Sequence, residues 1–509
     1  MGIPRFLKWI ISNCPDVFET IDKNKLYSYE GKQIEFLYLD INSLFYAALT
    51  DDDNPEKMLT TLFEELDGII KETFNPKSLI YIAMDGVAPR AKMNTQRLRR
   101  YNNKTTTSVK ASFTSSTAAT RFFHVPKNSV AISPGTEFMV VANKAIRYYI
   151  YQLLNQEDYN SLQIIFNDSQ VPGEGEYKIF QYLDSQTHRI HHHQTPHVVY
   201  GNDSDFILYA LLRNQSDLQI ILKSQDDNNK VNIDKLRNHI IVGMVGTMNA
   251  IKHRGNNNLI NDFVCILNFI GNDYIPPLIT STPSLSPIKI LLQAYNNYFR
   301  INKGSIGYIT TAAINNNNSS INLERLYKFL ECLEVVVFQN NRNSTILSSQ
   351  SNVVEKVNDY INMLKWNFQY FQGNCQSWRC FYSHRKAPTI QCNELLPSPL
   401  RGLLQADDSP LKKYFPKKNG SKFNALPFID EGILTKSINQ KRHLIGGDDW
   451  ERGNCLNKNA QIFSGCKSET IIAHQLSGSV PNKIEALLED GKFDEISNNS
   501  VAFTDYIKK

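Results

Sequence analysis

Short runs of β-branched and aromatic residues alternate with longer stretches of helical periodicity over the first 230 residues. FLYL at 36–39, LIYIAM at 79–84, LQIIF at 162–166 and HVVY at 197–200 predict strands buried on both faces. Between them, EKMLTTLFEELDGIIKETF at 56–74 and FMVVANKAIRYYIYQLL at 138–154 repeat apolar residues at helical spacing. This alternation predicts an α/β fold, a central mostly parallel sheet flanked by helices. From about 231 the pattern turns helical: VNIDKLRNHI, DFVCILNFIG, and INLERLYKFLECLE with Leu323, Leu326, Leu330 and Leu333 on one stripe. The expected organisation is a domain over 1–230, a largely helical region over 231–400, and a C-terminal segment over 401–509 whose pattern is weak.

Several stretches stay open. The Ser/Thr-rich segment at 103–130 reads either as an arm or as a projecting helix, and Asn-rich pieces at 256–258, 315–318 and 340–343 read as loops. His191, His192 and His193 read as plain loop, because adjacent side chains diverge. LKKYFPKKNGSK at 411–422 reads as a solvated surface loop or as a nucleic-acid contact.

The formal net charge of +5 over 509 residues does not single out a nucleic-acid partner, so local clusters carry that argument. The eight cysteines form no CxxC pair, and no signal-peptide pattern leads the chain; reduced thiols and an intracellular location are expected, with the cytoplasm favoured and the nucleus left open. No stretch reaches the ~20 apolar residues of a membrane helix, and Phe6 stands where a myristoylation signal has Ser or Thr.

Carboxylates recur where apolar runs end. FLYLD ends in Asp40 and LIYIAMD in Asp85; LQIIF leads to Glu174 and Glu176, HVVYGNDSD to Asp203 and Asp205, and CILNFIGND to Asp273. Open α/β sheets build ligand sites at the carboxyl ends of their strands. Each acid alone is also a turn former or helix cap, and Glu174 and Glu176 alone read as a helix start favoured by the macrodipole. Five such placements together argue for one crevice, where gathered carboxylates require cations and hard oxygen donors suit two Mg²⁺ ions, or Mn²⁺. After Asp85, Lys92, Gln96, Arg99 and Arg100 fall at helical spacing on one narrow face, either a solvated basic face or a pocket for a terminal phosphate.

These stretches, MGIPRFLKWI, LYLDINSLFY, MDGVAPRAKMNTQRLRR, ISPGTEFM, VPGEGEYKIF, YGNDSDFIL and GNDYIPP, occur in the order found in the XRN family of 5′→3′ exoribonucleases, which the chain resembles over most of its first 400 residues. The resemblance implies a PIN/FEN-like nuclease core that hydrolyses single-stranded RNA from a 5′-monophosphate end to nucleoside 5′-monophosphates, acting as a monomer without a membrane. It implies that Asp40, Asp85, Glu174, Glu176, Asp203, Asp205 and Asp273 hold the metals and that Lys92, Gln96, Arg99 and Arg100 read the 5′ phosphate. It further implies an aromatic pair around the first base, with Trp378 as one half and Tyr46 where the family has histidine. Pro277 also replaces a common histidine, and the long C-terminal extensions of typical members are not expected. Two other functions share such a core: a 5′ nuclease acting on DNA or flap structures, and a non-catalytic RNA-binding scaffold.

Overall fold

The structure, a computed structural model, describes residues 3–48, 55–96, 132–190, 196–301, 307–311, 319–340, 353–388 and 461–464, with gaps of one to four residues inside these ranges. Arg99, Arg100, the segment 103–130, His191–His193, the Asn-rich pieces at 315–318 and 341–343, and the lysine-rich stretch at 411–422 lie outside the described residues.

Among the described residues eight strands form one sheet, in the spatial order Phe18–Thr20, Asn228–Val231, Leu218–Lys223, His197–Gly201, Phe36–Asp40, Leu79–Ala83, Gln163–Asn167 and Gln461–Ser464. Its centre is five parallel strands: β2 (Phe36–Asp40), β3 (Leu79–Ala83), β4 (Gln163–Asn167), β5 (His197–Gly201) and β6 (Leu218–Lys223). Antiparallel strands close both edges: β7 (Asn228–Val231) and β1 (Phe18–Thr20) on one side, β8 (Gln461–Ser464) on the other. The four strands expected from sequence are all present, and the α/β expectation is borne out. LQIILK and the short edge strands were not expected, although LQIILK carries the same β-branched run as LQIIF; the edge strands are three or four residues long and too short for a periodic signal.

Strand residues alternate between two cores, as a period of two requires. Leu37, Leu39, Ile80, Ile82, Ile164 and Phe166 face helices Asn42–Ala48, Pro55–Asp67 and Glu137–Leu154. Tyr38, Tyr81, Ile165, Val199 and Ile220 face the other way, into one core shared with Gly175–Ile190, Asp205–Leu211 and the helices beyond residue 233. The Leu326, Leu330 and Leu333 stripe lies in that second core, on helix Leu323–Asn340.

Two expectations are corrected. EKMLTTLFEELDGIIKETF is not one α-helix, because at Gly68 it widens into a π-helical turn, Gly68–Phe74, closed by Asn75 at φ 43°. The stretch 256–258 is not a loop. Asn256 caps helix Asn257–Leu267, its side-chain oxygen accepting from the Asn258 amide at 3.0 Å.

The strand order places the first parallel strand in the middle. The chain runs from β2 to β3 and β4 on one side, then crosses to β5 and β6 on the other. The carboxyl ends of β2 and β5 therefore flank the topological switch point, where neighbouring connections diverge and leave a crevice.

Candidate active site

Asp40 is the last residue of β2, and Asp203 follows β5 by two residues, so these two acids sit on either side of the switch point. Asp85 follows β3 in the same way. Asp40 Oδ1 accepts from the Asn42 amide at 3.2 Å and from Asn42 Nδ2 at 3.1 Å. The Asn42 side-chain oxygen in turn accepts from the Asp85 amide at 3.0 Å, and Asp85 Oδ1 accepts from the Gly175 amide at 2.9 Å. One relay thus locks the ends of β2 and β3 to the loop after β4. Asn42 was not expected from sequence; its position two residues after Asp40, opening a helix, was the available signal.

The loop after β4 takes its shape from close backbone contact. Gly173 adopts φ 112°, and its amide donates to the Val87 carbonyl at 3.0 Å while the Gly86 amide donates to its carbonyl at 2.8 Å. Gly175 opens helix Gly175–Ile190 and presses on Asp40: a Cβ there would lie 2.7 Å from the Asp40 carboxylate. Glu174 therefore precedes the helix, and Glu176 sits in its first turn.

A pocket of about 370 Å³ opens at these strand ends, a volume within the range of small-ligand sites. Asp40, Asp85, Glu174, Glu176, Asp203 and Asp273 line it together with Lys92, Gln96 and Tyr46. Asp205 is buried beside Asp203, whose Oδ1 accepts from the Asp205 amide at 2.9 Å. Asp273 reaches the pocket by a different route from the other acids. CILNFIG, as its helical pattern predicts, is the end of helix Asn257–Leu267 and a following 3₁₀ turn rather than a strand end. The Asn272 side chain then accepts from the Tyr274 and Ile275 amides, turning Asp273 inward. Tyr46 is half-exposed at the rim, whereas Trp378 stands outside the lining, its ring edge-on to Tyr177 at 6.0 Å.

Burial pushes the Asp40 carboxyl far above the usual carboxylate range, and the charges of Asp85 and Glu176 push it further. Glu176 is raised to about 8, by burial first, with Asp203 and Asp85 adding to it and Lys92 opposing. Asp205 is raised by burial and by Asp203. Burial is the largest cause in all three, with neighbouring carboxylates adding to it, whereas Asp203 is lowered despite burial, with Lys92 among the groups that favour its charge. Lys92 supplies positive charge here, pairing with Glu174 and lying 3.2 Å from Asp273; burial lowers its pKa, but Asp273, Glu176, Asp85 and Asp203 together raise it.

The donor set fits a hard divalent cation. Every candidate ligand is a carboxylate, and Asp205 Oδ1 is buried with no hydrogen-bond partner. Among the described residues no three His, Cys, Asp or Glu side chains already converge as a closed coordination set.

Behind the acids, Lys178 is buried and donates to the Met84 carbonyl at 2.7 Å and the Asp168 carbonyl at 2.8 Å. Burial lowers its pKa to about 8. It ties the end of β3, next to Asp85, to the turn after β4. Lys178, Tyr274 and Tyr370 were missed by sequence reasoning, since a lysine inside an amphipathic helix and tyrosines in apolar runs read as surface and core.

Residues 1–224 match the family model described as the XRN 5'-3' exonuclease N-terminus. The chain is 30% identical over 360 residues to 5'-3' exoribonuclease 1 of Saccharomyces cerevisiae, an alignment covering 65% of this chain and 22% of that protein. It is 27% identical over 407 residues to 5'-3' exoribonuclease 2 of Arabidopsis thaliana, covering 65% and 39%. The resemblance to the XRN family read from the motifs is thereby borne out, and the chain spans less than two fifths of the length of these relatives. The catalytic core of Rad2 in complex with DNA substrate aligns with 68% of this chain and 81% of its own, at 13% identity and a TM-score of 0.32. Among the described residues no helix is long and apolar enough to cross a membrane.

Proposed function

We propose that this protein is a 5′→3′ exoribonuclease that removes nucleoside 5′-monophosphates from 5′-monophosphorylated single-stranded RNA. The observation that carries the proposal is the meeting of six of the seven expected acids with Lys92 and Gln96 in one pocket at the switch point of the sheet. The match to the XRN N-terminal model and the names of the relatives support the substrate class.

Asp40, Asp85, Glu176, Asp203, Asp205 and Asp273, with Glu174 beside them, form the set that would hold two Mg²⁺ ions, or Mn²⁺. When bound, the metals would supply an activated water and stabilise charge on the scissile phosphate and its leaving oxygen. The chain's own residues do the rest. Lys92 and Gln96 offer donors to a terminal phosphate from one helical face, with Arg99 and Arg100 assigned to the same role from sequence. Tyr46 at the rim offers a ring for the first base, a contact indifferent to base identity, with Trp378 assigned as the second ring from sequence. The nuclease domain at 1–230 supplies all the acids except Asp273, and the region at 231–400 supplies Asp273 and the tyrosines behind Glu174. A monomer acting inside the cell, in the cytoplasm rather than the nucleus, is the accompanying reading.

Matched RNA and DNA oligonucleotides, each with a 5′ monophosphate, test the proposal. It expects release of mononucleotides from RNA at a rate well above that from DNA. Faster cleavage of DNA or of a flap would replace it with a DNA nuclease, and binding without cleavage would replace it with a scaffold.

A further inference from the structure

Both oxygens of Glu174 are already taken. Oε1 pairs with the Lys92 ammonium. Oε2 accepts from the Tyr274 hydroxyl and, at 3.2 Å, from the Tyr370 hydroxyl. Glu174 is 1% exposed, the most enclosed acid of the pocket. The two tyrosines are themselves fixed: Tyr370 stacks between Tyr177 at 4.6 Å and Trp366 at 5.1 Å, and the Tyr274 ring packs on Tyr370 at 5.1 Å. Lys92 lies 5.7 Å over the Tyr274 ring, and Thr95 on the same helical turn donates to the Asp273 carbonyl at 3.0 Å. An ionised carboxylate offers about four lone-pair sites, and Lys92, Tyr274 and Tyr370 already engage three of those of Glu174.

We propose that Glu174, clamped by the Tyr274 and Tyr370 hydroxyls, is the anchor that holds Lys92 in position to bind the terminal phosphate, and is not a direct metal ligand. The two tyrosines are then positioning residues for phosphate recognition. Lys92 is long and flexible, and its three donors find a phosphate reproducibly only if the ammonium is fixed. A carboxylate held by two tyrosine hydroxyls in an aromatic wall provides that fixed point. This inference rests on the reading of the pocket as a 5′-phosphate site.

The test is equilibrium binding of fluorescent single-stranded RNA with a 5′ phosphate or a 5′ hydroxyl, in EDTA so that no cleavage occurs. The parent protein is compared with Tyr274→Phe, Tyr370→Phe, their combination and Glu174→Gln, with melting temperatures confirming that each is folded. The double variant is expected to lose about tenfold of the preference for the phosphorylated end, the scale of one hydrogen bond to a charged group. Its Mg²⁺ midpoint for cleavage should stay within about twofold of the parent, since no ligand has been moved. Glu174→Gln, which keeps the size of the side chain, should show the same pattern. An unchanged preference in these variants, with the parent still preferring phosphate, overturns the anchor and leaves the phosphate site standing. A Mg²⁺ midpoint raised about tenfold or more in Glu174→Gln returns Glu174 to the metal set, because such losses follow disturbance of ligands. A parent protein without preference removes the phosphate site, and the anchor with it.

Discussion

Gly175 touches Asp40 so closely that a single added methyl group at Gly175 would lie 2.7 Å from the Asp40 carboxylate. The contact brings the start of helix Gly175–Ile190 against the end of β2 and lets the Gly175 amide reach Asp85. Gly175→Ala must displace either the helix or Asp40. Displacements near 1 Å at a reacting centre cost about 100-fold in rate, and that is the loss expected in single-turnover cleavage. Far-ultraviolet circular dichroism should remain that of the parent.

Asp203 and Asp40 face each other across the switch point, with Asp205 held by the Asp203 side chain. Asp203→Ala is expected to abolish mononucleotide release while RNA binding persists, because the phosphate contacts proposed for Lys92 and Gln96 are left in place. Gel-shift and product assays on the same preparation check both halves. Retained cleavage would remove Asp203 from the metal set.

Lys178 satisfies two buried carbonyls at once. Lys178→Met removes the donor to the Met84 carbonyl, whereas the Asp168 carbonyl still accepts from the Val171 amide at 3.2 Å, and at about 1–3 kcal/mol for an unsatisfied group the variant should unfold more easily in urea. Its cleavage rate should fall as well, since Met84 adjoins Asp85.

His197 gives the fold a measurable pH dependence. It is buried, its Nδ1 lies 2.9 Å from the Tyr38 hydroxyl, and its ring stacks on Phe36 at 4.5 Å. Burial lowers its pKa to about 4. Above the ordinary histidine pKa near 6.5 the ring is neutral in both states and contributes no pH dependence. As pH falls from there towards 4, the unfolded chain binds the proton first and stability declines, by up to ~3 kcal/mol. Urea titrations at intervals over this window should show the slope in the parent and a shallower one in His197→Gln.

The parallel core and the acids at its strand ends were legible in the sequence because both have local signatures: unbroken β-branched runs, and a carboxylate just after each. Asp40, Asp85, Glu176 and Asp203 needed nothing more than that pattern and the switch-point rule. Asp273 follows DFVCILNFIG, whose helical pattern the structure bears out, so its place in the pocket came from the recurrence of acids after apolar runs and not from the strand-end rule. What stayed hidden depends on contacts across the chain. Tyr274 and Tyr370 meet Glu174 over sequence separations of 100 and 196 residues, and no local pattern distinguishes them from core aromatics. The role of Gly175 was half legible. The sequence pointed to a flexible joint, but the glycine is required for want of space beside Asp40 rather than for an unusual backbone angle.

The central claim is that an acid-lined, metal-dependent site is addressed from a phosphorylated 5′ end. The most direct measurement is a degradation assay with purified protein on two RNAs identical except for a 5′ monophosphate or a 5′ hydroxyl, with Mg²⁺ and with EDTA. The account predicts rapid release of nucleoside 5′-monophosphates from the phosphorylated RNA in Mg²⁺, slow decay of its hydroxyl counterpart, and none in EDTA. Equal rates on the two RNAs, or undiminished decay in EDTA, would contradict it.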